Sequence, residues 1–249
     1  MRLSARLAIA AGLALAGVAA FVGFSAMPAA EPAPAVGTGN SPVVVELFTS
    51  QACSSCPPAE ALFRDYAQRK DLIALEWHVD YWDTLNVPGS GKWRDPYSSP
   101  AWTQRQTAYN QRIRGSSGSY TPQAVIGGRS EATGFDGGAI TRKIGDARKA
   151  QPDIRITATL GKELSFTIEG APAGTEATLV TFRNAATTQV KGGENNGRKL
   201  SSAHLVTGAR GLGSGVVLTA PPPAAGEGCA LILHGKNQGP ILAGTYCPA

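Results

Sequence analysis

Two cysteines in a turn between a strand and a helix limit most strongly what this chain can fold into. The apolar run at residues 43–48 predicts a buried strand, and the pattern from residue 57 to about residue 70 predicts a helix. Cys53 and Cys56 lie between them, followed by Pro57, which is tolerated only in the first turn of a helix. A Cys-x-x-Cys pair at such a turn is typical of a redox-active disulfide.

The chemistry of this pair assigns a role to each cysteine. A thiolate attacks disulfides, and the partial positive charge at a helix N-terminus favours that form, so we expect Cys53 to be the nucleophile. Cys56, which should be more buried, would resolve the mixed disulfide. The reaction requires that both sulfurs meet solvent. A static structural disulfide and half of a metal site are the alternatives, although zinc would need a second closely spaced pair.

The N-terminal segment predicts where the protein works. Arg2 and Arg6 precede an uncharged apolar run at residues 7–24, which small residues follow, so residues 1–30 are typical of a signal peptide. An uncleaved membrane anchor is the alternative, because the run is close to the length that spans a bilayer. We therefore expect an exported protein, periplasmic or secreted, in which residues 31–41 form a flexible leader.

Two patterns divide the rest of the chain. Residues 42–150 predict an α/β domain in which a crossover joins two parallel strands, with an insert at about residues 80–98. Residues 151–249 carry about eight short alternating runs and no convincing helix, which predicts a β-sandwich-like domain. One run is predicted at residues 187–191, and the Asn-Asn-Gly sequence at residues 195–197 is typical of a hairpin turn.

Polar residues on the predicted strands are further candidates. Parallel strands end at the same sheet edge, so His78 and Asp80, after the second strand, should lie near the cysteines. His78 could stabilise the Cys53 thiolate, shuttle a proton, or bind Cu(I) together with Cys53 and Cys56. Glu46, on what should be a central strand, could relay a proton between the cysteines. The alternatives are that His78 caps the strand and that Glu46 is exposed or salt-bridged.

The dipeptide Thr121-Pro122 matters by its position. It precedes a short apolar strand, and in a chain with Cys-x-x-Cys at a strand–helix turn it predicts a cis prolyl bond. The order of strand, Cys-x-x-Cys helix, strand, helix, cis-proline, hairpin and helix resembles the thioredoxin fold. Thr121, Asp80 and Trp82 are then candidates for substrate contact, with a place in the cleft wall as the alternative for Trp82.

Several short motifs resemble the DUF1223 family of exported, thioredoxin-like bacterial proteins. They are VVELFTSQ at residues 44–51, CSSCPP at 53–58, HVDYWD at 78–83, YTPQ at 120–123 and GENNGR at 193–198. The resemblance covers residues 42–249. It implies a thioredoxin-like α/β domain with a Cys-x-x-Cys site, in which Pro122 is cis and faces Cys53, where its backbone helps to hold a bound peptide. It does not supply a substrate.

The second half of the chain adds two candidates. A turn is predicted midway between Cys229 and Cys247, so a hairpin would set them opposite each other as a structural disulfide, with a second redox pair as the alternative. The GENNGR motif predicts a turn, and Glu194 and Arg198 are candidates for a role in the cleft between the two halves.

Three functions fit these patterns. The first is a thiol–disulfide oxidoreductase that acts on protein or small-thiol substrates, or on a redox partner protein, without a cofactor besides its disulfide. The second is a Cu(I)-binding or metal-delivery module, and the third is a non-catalytic binding protein with a structural disulfide. The net charge of +5 comes without a Lys/Arg cluster, so we do not expect a nucleic-acid partner. Membrane contact is expected only through an uncleaved signal.

Overall fold

A computed structural model describes residues 41–248. The helices are α1 Pro57–Ala67, α2 Pro100–Arg114 and α3 Gly137–Lys149. The strands are β1 Val43–Thr49, β2 Leu72–His78, β3 Gln123–Ile126, β4 Ser130–Thr133, β5 Arg155–Leu160, β6 Leu164–Glu169, β7 Glu176–Gln189, β8 Lys199–Gly213, β9 Val217–Ala220, β10 Glu227–His234 and β11 Ile241–Tyr246. The predicted signal peptide and all but the last residue of the predicted leader lie outside the described residues. None of the three helices is long and apolar enough to cross a membrane.

Eight of the strands form one mixed sheet in the order β11-β10-β7-β8-β2-β1-β3-β4. β1 is parallel to β2 and antiparallel to β3, and β3 and β4 form an antiparallel hairpin. β2 meets β8 at the pair Glu76 and Leu205, which joins the strands of the first half of the chain to those of the second. The other three strands form a small antiparallel sheet, β5-β6-β9. The predicted α/β class, with a mixed sheet flanked by helices, is confirmed.

Short capping signals set the ends of the helices. Ser99 precedes α2, and its Oγ accepts a hydrogen bond from the Ala101 N–H at 3.2 Å. Pro100 occupies the first turn, where its missing N–H costs nothing. Gly115 ends the helix in the left-handed conformation, at φ 68°, which glycine adopts without strain. Asp136 caps α3 in the way that Ser99 caps α2.

Helices cover both faces of the first half of the sheet. β1 is buried along its whole length, so it alternates apolar side chains toward two cores. Leu47 packs with Phe63 of α1 and Ile140 of α3 on one face. Phe48 packs against Tyr109 of α2 on the other face. The carboxyl end of β1 and the start of α1 therefore have a rigid support.

The small sheet packs against the second half of the large one. Phe166 of β6 and Leu218 of β9 share a core with Leu231 of β10. These layers are sandwich-like, while four strands after residue 150 extend the large sheet. The division into two domains near that residue stays a prediction, and the sheet runs across the proposed boundary.

The β7–β8 hairpin is longer than the sequence pattern predicts. The separate strand predicted at residues 187–191 was wrong, because most of that run is the end of β7. Pairing with β8 continues through Arg183 and Ala185, where polar and small side chains break the apolar alternation. The Asn-Asn-Gly sequence lies in the connection between the two strands, so the hairpin carries its turn well beyond the core.

Candidate functional site

The Cys53–Cys56 disulfide lies where β1 leads into α1. The Cys53 N–H donates a hydrogen bond to the Ser50 carbonyl at 3.1 Å, which closes a tight turn after the strand. Cys56 occupies the N-cap position of α1, and its carbonyl accepts a hydrogen bond from the Glu60 N–H at 3.2 Å. The two cysteines are bonded to each other, so both sulfurs lie at the positive end of the helix dipole.

Both cysteines are covered. Each has an exposed fraction of 0%, so the expectation that their sulfurs meet solvent was wrong. Ser54 and Ser55 between them are exposed, which shows that the turn itself lies at the surface. Residues 190–198, the connection between β7 and β8, contact the backbone of this turn, and we call them the hairpin tip.

Hydrogen bonds fasten the hairpin tip to the cysteine turn. The Asn195 side-chain amide donates to the carbonyls of Gln51, at 3.0 Å, and Cys53, at 2.8 Å. Glu194 Oε2 accepts from the N–H and the hydroxyl of Ser54, at 2.8 and 2.7 Å. Asn195 is fully buried, so these contacts exclude water from the backbone around the nucleophile. The contact between Glu194 and Ser54 joins the two halves of the chain and supports the predicted role of Glu194 in the cleft between them.

Two glycines allow the hairpin tip to approach so closely. Gly193 has φ +67°, and a Cβ there would lie 3.3 Å from the Cβ of Ala52 and 3.2 Å from that of Trp93. A Cβ at Gly192 would overlap the carbonyl oxygen of Lys92. Trp93 and Lys92 belong to the predicted insert, so the insert and the hairpin tip meet beside the cysteine turn.

A cluster of buried ionisable groups lies beside α1 at the carboxyl ends of β1 and β2. Glu60, Glu76, His78 and Asp95, here called the polar cluster, each have an exposed fraction of 2% or less. His78 Nδ1 lies 2.7 Å from Asp95 Oδ2. The Thr49 hydroxyl donates to Glu60 Oε1 at 2.8 Å. Three carboxyl groups and one imidazole thus share a site from which solvent is excluded.

The polar cluster is linked to the cysteine turn and to the second half of the chain. Asp95 Oδ2 accepts a hydrogen bond from the Gln51 N–H at 2.8 Å, and Glu76 Oε1 accepts one from the Ala203 N–H of β8 at 3.2 Å. His78 Nε2 and Glu76 Oε2 are 4.0 Å apart, and within residues 41–248 neither atom has a hydrogen-bond partner. Each of these two side chains is held instead through its other polar atom, His78 Nδ1 by Asp95 and Glu76 Oε1 by Ala203.

Burial and mutual charge set the protonation of the polar cluster. Burial, with a further contribution from the neighbouring Glu76 carboxylate, raises the pKa of Glu60 to about 7. Burial alone would lower the pKa of His78, but the Asp95 carboxylate outweighs it and holds that pKa well above 6.5. His78 in turn outweighs burial at Asp95 and lowers its pKa. The pKa of Glu60 therefore lies near neutral pH, so both of its protonation states are populated there.

Glu46 has partners of its own. Its Oε1 lies 2.7 Å from Arg105 Nε, and its Oε2 accepts a hydrogen bond from the Tyr109 hydroxyl at 2.6 Å. Both partners belong to α2, on the face of the sheet opposite to α1. Glu46 is thus salt-bridged, which was the alternative to a relay role. Its carboxylate contacts Arg105 and Tyr109 and not the cysteines.

Thr121 and Pro122 lie at the start of β3. The bond between them is cis. Gln123, the next residue, pairs with Phe48 of β1, so the dipeptide lies toward the end of β1 from which the cysteine turn follows. The Trp82 indole N–H donates to the Thr121 hydroxyl at 2.8 Å, which joins two predicted substrate contacts.

The remaining predicted residues have structural partners. Asp80 Oδ1 accepts a hydrogen bond from the Thr103 hydroxyl at 2.5 Å and ties the insert to α2. Cys229 and Cys247 are bonded to each other, and the Cys247 N–H donates to the Cys229 carbonyl at 2.8 Å. This second disulfide links the start of β10 to the end of β11.

Sequence reasoning missed four residues of the site. Glu60 stands four positions after Cys56, a spacing that places both on one helical face, and this signal was there to be used. Glu76 interrupts an apolar strand two residues before His78, as a buried acid would. Asp95 carries no signal, because it reaches the site from a loop. Asn195 lies in the GENNGR motif, but that motif predicted only a turn and gave no sign that the Asn195 side chain contacts the cysteine turn.

The fold and site define a class of protein: α/β, with a large mixed sheet and a Cys-x-x-Cys disulfide at a strand–helix turn. The chain belongs to the DUF1223 family, whose description is a protein of unknown function, and the family model matches residues 44–224.

Two solved structures are similar to this chain. Protein AGR_C_4864 from Agrobacterium tumefaciens is 30% identical with a TM-score of 0.68, over 85% of this chain and 96% of that one. HBP35 of Porphyromonas gingivalis has a TM-score of 0.52 at 13% identity, over 84% of this chain and 76% of that one, so it shows a likeness of fold alone. No curated protein matches the chain.

Proposed function

We propose that this chain is an exported thiol–disulfide oxidoreductase with a thioredoxin-like first half, acting through Cys53 and Cys56. The observation that carries the proposal is the disulfide at the N-terminus of α1, next to a buried cluster of ionisable groups. The strand order β2-β1-β3-β4, with helices on both faces and β3 antiparallel, supports the thioredoxin-like assignment.

The reaction uses the dithiol form to reduce a substrate disulfide. The Cys53 thiolate attacks one substrate sulfur, and the other substrate sulfur leaves as a thiolate that takes up a proton. Cys56 then loses its proton and attacks the Cys53 sulfur, which releases the second substrate thiol and closes the Cys53–Cys56 bond. The substrate gains two electrons and the protein loses two, and the same steps in reverse oxidise a substrate dithiol.

Glu60 is the best placed acceptor for the proton of Cys56. It follows Cys56 by one helical turn, and its pKa of about 7 makes both of its protonation states available at neutral pH. His78 acts indirectly, because its positive charge stabilises the Glu60 carboxylate. The predicted catalytic role for His78 thus becomes one of tuning the acceptor.

Access to Cys53 requires movement of the hairpin tip. The side chains of Asn195 and Glu194 hold the hairpin tip to the cysteine turn through four hydrogen bonds, and a connection held by so few contacts opens locally at a fraction of the free energy of global unfolding. The covered disulfide is therefore the resting state, and an open state reacts.

The test is turnover of a model disulfide by the reduced protein, with Cys53→Ser as the control variant. We expect stoichiometric oxidation of wild type and none of the variant. Equal behaviour of the two proteins would end the proposal. The reduction potential of the disulfide, measured against glutathione, gives the direction of electron flow.

The full burial of both cysteines favours a second candidate, a non-catalytic binding protein in which the disulfide is structural. A structural disulfide typically has a reduction potential below about −300 mV, whereas redox-active pairs lie above that. The measurement of the potential therefore separates the two candidates directly.

The Cu(I) hypothesis stays a prediction. Within residues 41–248, no three His, Cys, Asp or Glu side chains lie close enough together to hold a metal ion. His78 points its Nδ1 at Asp95 rather than at the cysteines. Copper titration of the reduced protein, with His78→Ala beside it, tests the hypothesis.

A further inference from the structure

An open groove lies beside the start of α1. It has a volume of about 340 Å³ and is lined by Pro57, Pro58, Glu60, Arg64, Arg198, Lys199, Leu200 and Ser201. Pro57 directly follows Cys56, so the groove begins next to the resolving cysteine. Its volume is at the lower end of the range for small-molecule sites, which fits a compact ligand better than a protein surface.

Three cations line this groove without a carboxylate partner. Arg64, Arg198 and Lys199 take part in none of the ion pairs that the structure forms between residues 41 and 248. Neutral oxygens hold the two guanidinium groups in place instead. Arg64 Nη1 donates to the Ser201 carbonyl at 2.7 Å, and Arg198 Nη1 donates to Asn195 Oδ1 at 2.8 Å.

The acids near the groove do not neutralise these cations. Glu60 has an exposed fraction of 1%, accepts its hydrogen bond from Thr49, and is partly protonated near neutral pH because its pKa is raised to about 7. Glu194, on the hairpin tip, directs its Oε2 to Ser54. Fixed guanidinium groups without a counter-ion are the groups that bind carboxylates best, because they cost little entropy to orient.

We propose that this groove binds the carboxylates of a small anionic disulfide, and that such disulfides are the preferred substrates of the Cys53–Cys56 pair. The inference rests on the proposed function and names its substrate class. Arg64 and Lys199, which lie outside the hairpin tip, act as binding residues that raise the local concentration of the anion beside the reacting sulfurs, and Arg198 adds to them while the hairpin tip is closed. The chemistry is the exchange already described, in which the substrate disulfide becomes two thiols and the protein dithiol becomes a disulfide.

The experiment compares three small disulfides of similar size that differ in charge. Reduced full-length protein is mixed with dithiodipropionate, bis(2-hydroxyethyl) disulfide or cystamine, which are anionic, neutral and cationic. Samples are quenched with acid, and mass spectrometry after alkylation follows oxidation. Each rate is divided by the rate of dithiothreitol with the same disulfide, because the leaving thiols differ in intrinsic reactivity.

We expect the normalised rates to fall from the anionic to the neutral to the cationic disulfide. Lys199→Gln and Arg64→Gln should each lower the ratio of the rate with dithiodipropionate to the rate with the neutral disulfide about threefold, as expected for one charge pair about 7 Å apart in water. Added salt should reduce the preference. Lys162→Gln, which removes an exposed lysine from the β5–β6 turn, is the matched control and should change none of the rates.

Two outcomes overturn the inference, and they differ. If all three disulfides oxidise the protein at equal normalised rates, or if Lys199→Gln and Lys162→Gln behave alike, the groove does not select anions, while the oxidoreductase proposal stands. If none of the disulfides oxidises the protein, the proposed function fails and the substrate class fails with it.

Discussion

Glu60 gives a prediction about how the stability of the protein depends on pH. Its pKa is 4.5 in an exposed setting and about 7 in the folded protein, because burial and Glu76 disfavour the carboxylate. A group whose pKa rises on folding stabilises the protein fully at low pH and loses that contribution as pH rises. We therefore expect a stability contribution that is complete below about pH 4.5 and lost as pH rises through about 7. The variant Glu60→Gln does not titrate and keeps an acceptor for Thr49.

The size of the effect follows from the shift. The rise from 4.5 to about 7, at about 1.4 kcal/mol for each pH unit, amounts to about 3 kcal/mol. Compared with wild type, Glu60→Gln should gain about this much free energy of unfolding between about pH 4.5 and about pH 8. His78 and Asp95 are present in both proteins, and the Glu60 carboxylate contributes to the raised pKa of His78, so the difference between the two reports Glu60 together with its coupling to His78.

Urea unfolding of the disulfide-bonded protein, followed by circular dichroism at a series of pH values, measures this difference. Glu163→Gln removes an exposed glutamate from the β5–β6 turn and serves as the matched control, which should run parallel to wild type. Parallel curves for Glu60→Gln and wild type would refute the reasoning, because they would mean that Glu60 carries no raised pKa. The same result would remove Glu60 as the proton acceptor.

Three further predictions concern the cover, the ion pair and the second disulfide. Asn195→Ala should speed reduction of the Cys-x-x-Cys disulfide by dithiothreitol up to about thirtyfold, since its two hydrogen bonds are worth about 2 kcal/mol together; an unchanged rate contradicts the gating role. Glu46→Gln leaves Arg105 buried without its counter-charge and should cost about 3–5 kcal/mol in urea unfolding, while the thiol-exchange rate stays that of wild type; a slower exchange would restore the relay role. Replacing Cys229 and Cys247 with serine opens a loop of sequence separation 18 and should cost about 3 kcal/mol, with no change in the potential of the other disulfide.

Local signals in the sequence predicted much of the first half of the fold. The run into β1, the capping residues Ser99 and Asp136, and the stop at Gly115 each act through neighbours a few positions away. Such interactions can be predicted from the sequence because their geometry is fixed by the helix or strand itself. The cysteine turn belongs to the same class, which is why its place between β1 and α1 could be predicted.

The surroundings of the cysteines could not be predicted in this way. Asp95 meets His78 across 17 residues of loop, and Asn195 meets Cys53 across 142 residues of chain. No periodic pattern in the sequence indicates either contact, because both depend on how the sheet brings separate segments together. The wrong expectation of solvent-exposed sulfurs has this cause: exposure is a property of the assembled fold, and the insert and the hairpin tip reach the cysteine turn from distant parts of the chain.

The late position of the covering segment has a consequence for how the protein matures. A chain made from its N-terminus presents both thiols well before the residues that will hide them have been synthesised. In the proposed function, thiol–disulfide exchange in the folded protein requires the hairpin tip to open, whereas the growing chain presents both thiols without that step. We therefore expect the Cys53–Cys56 bond to form more readily during synthesis than after the β7–β8 hairpin has closed.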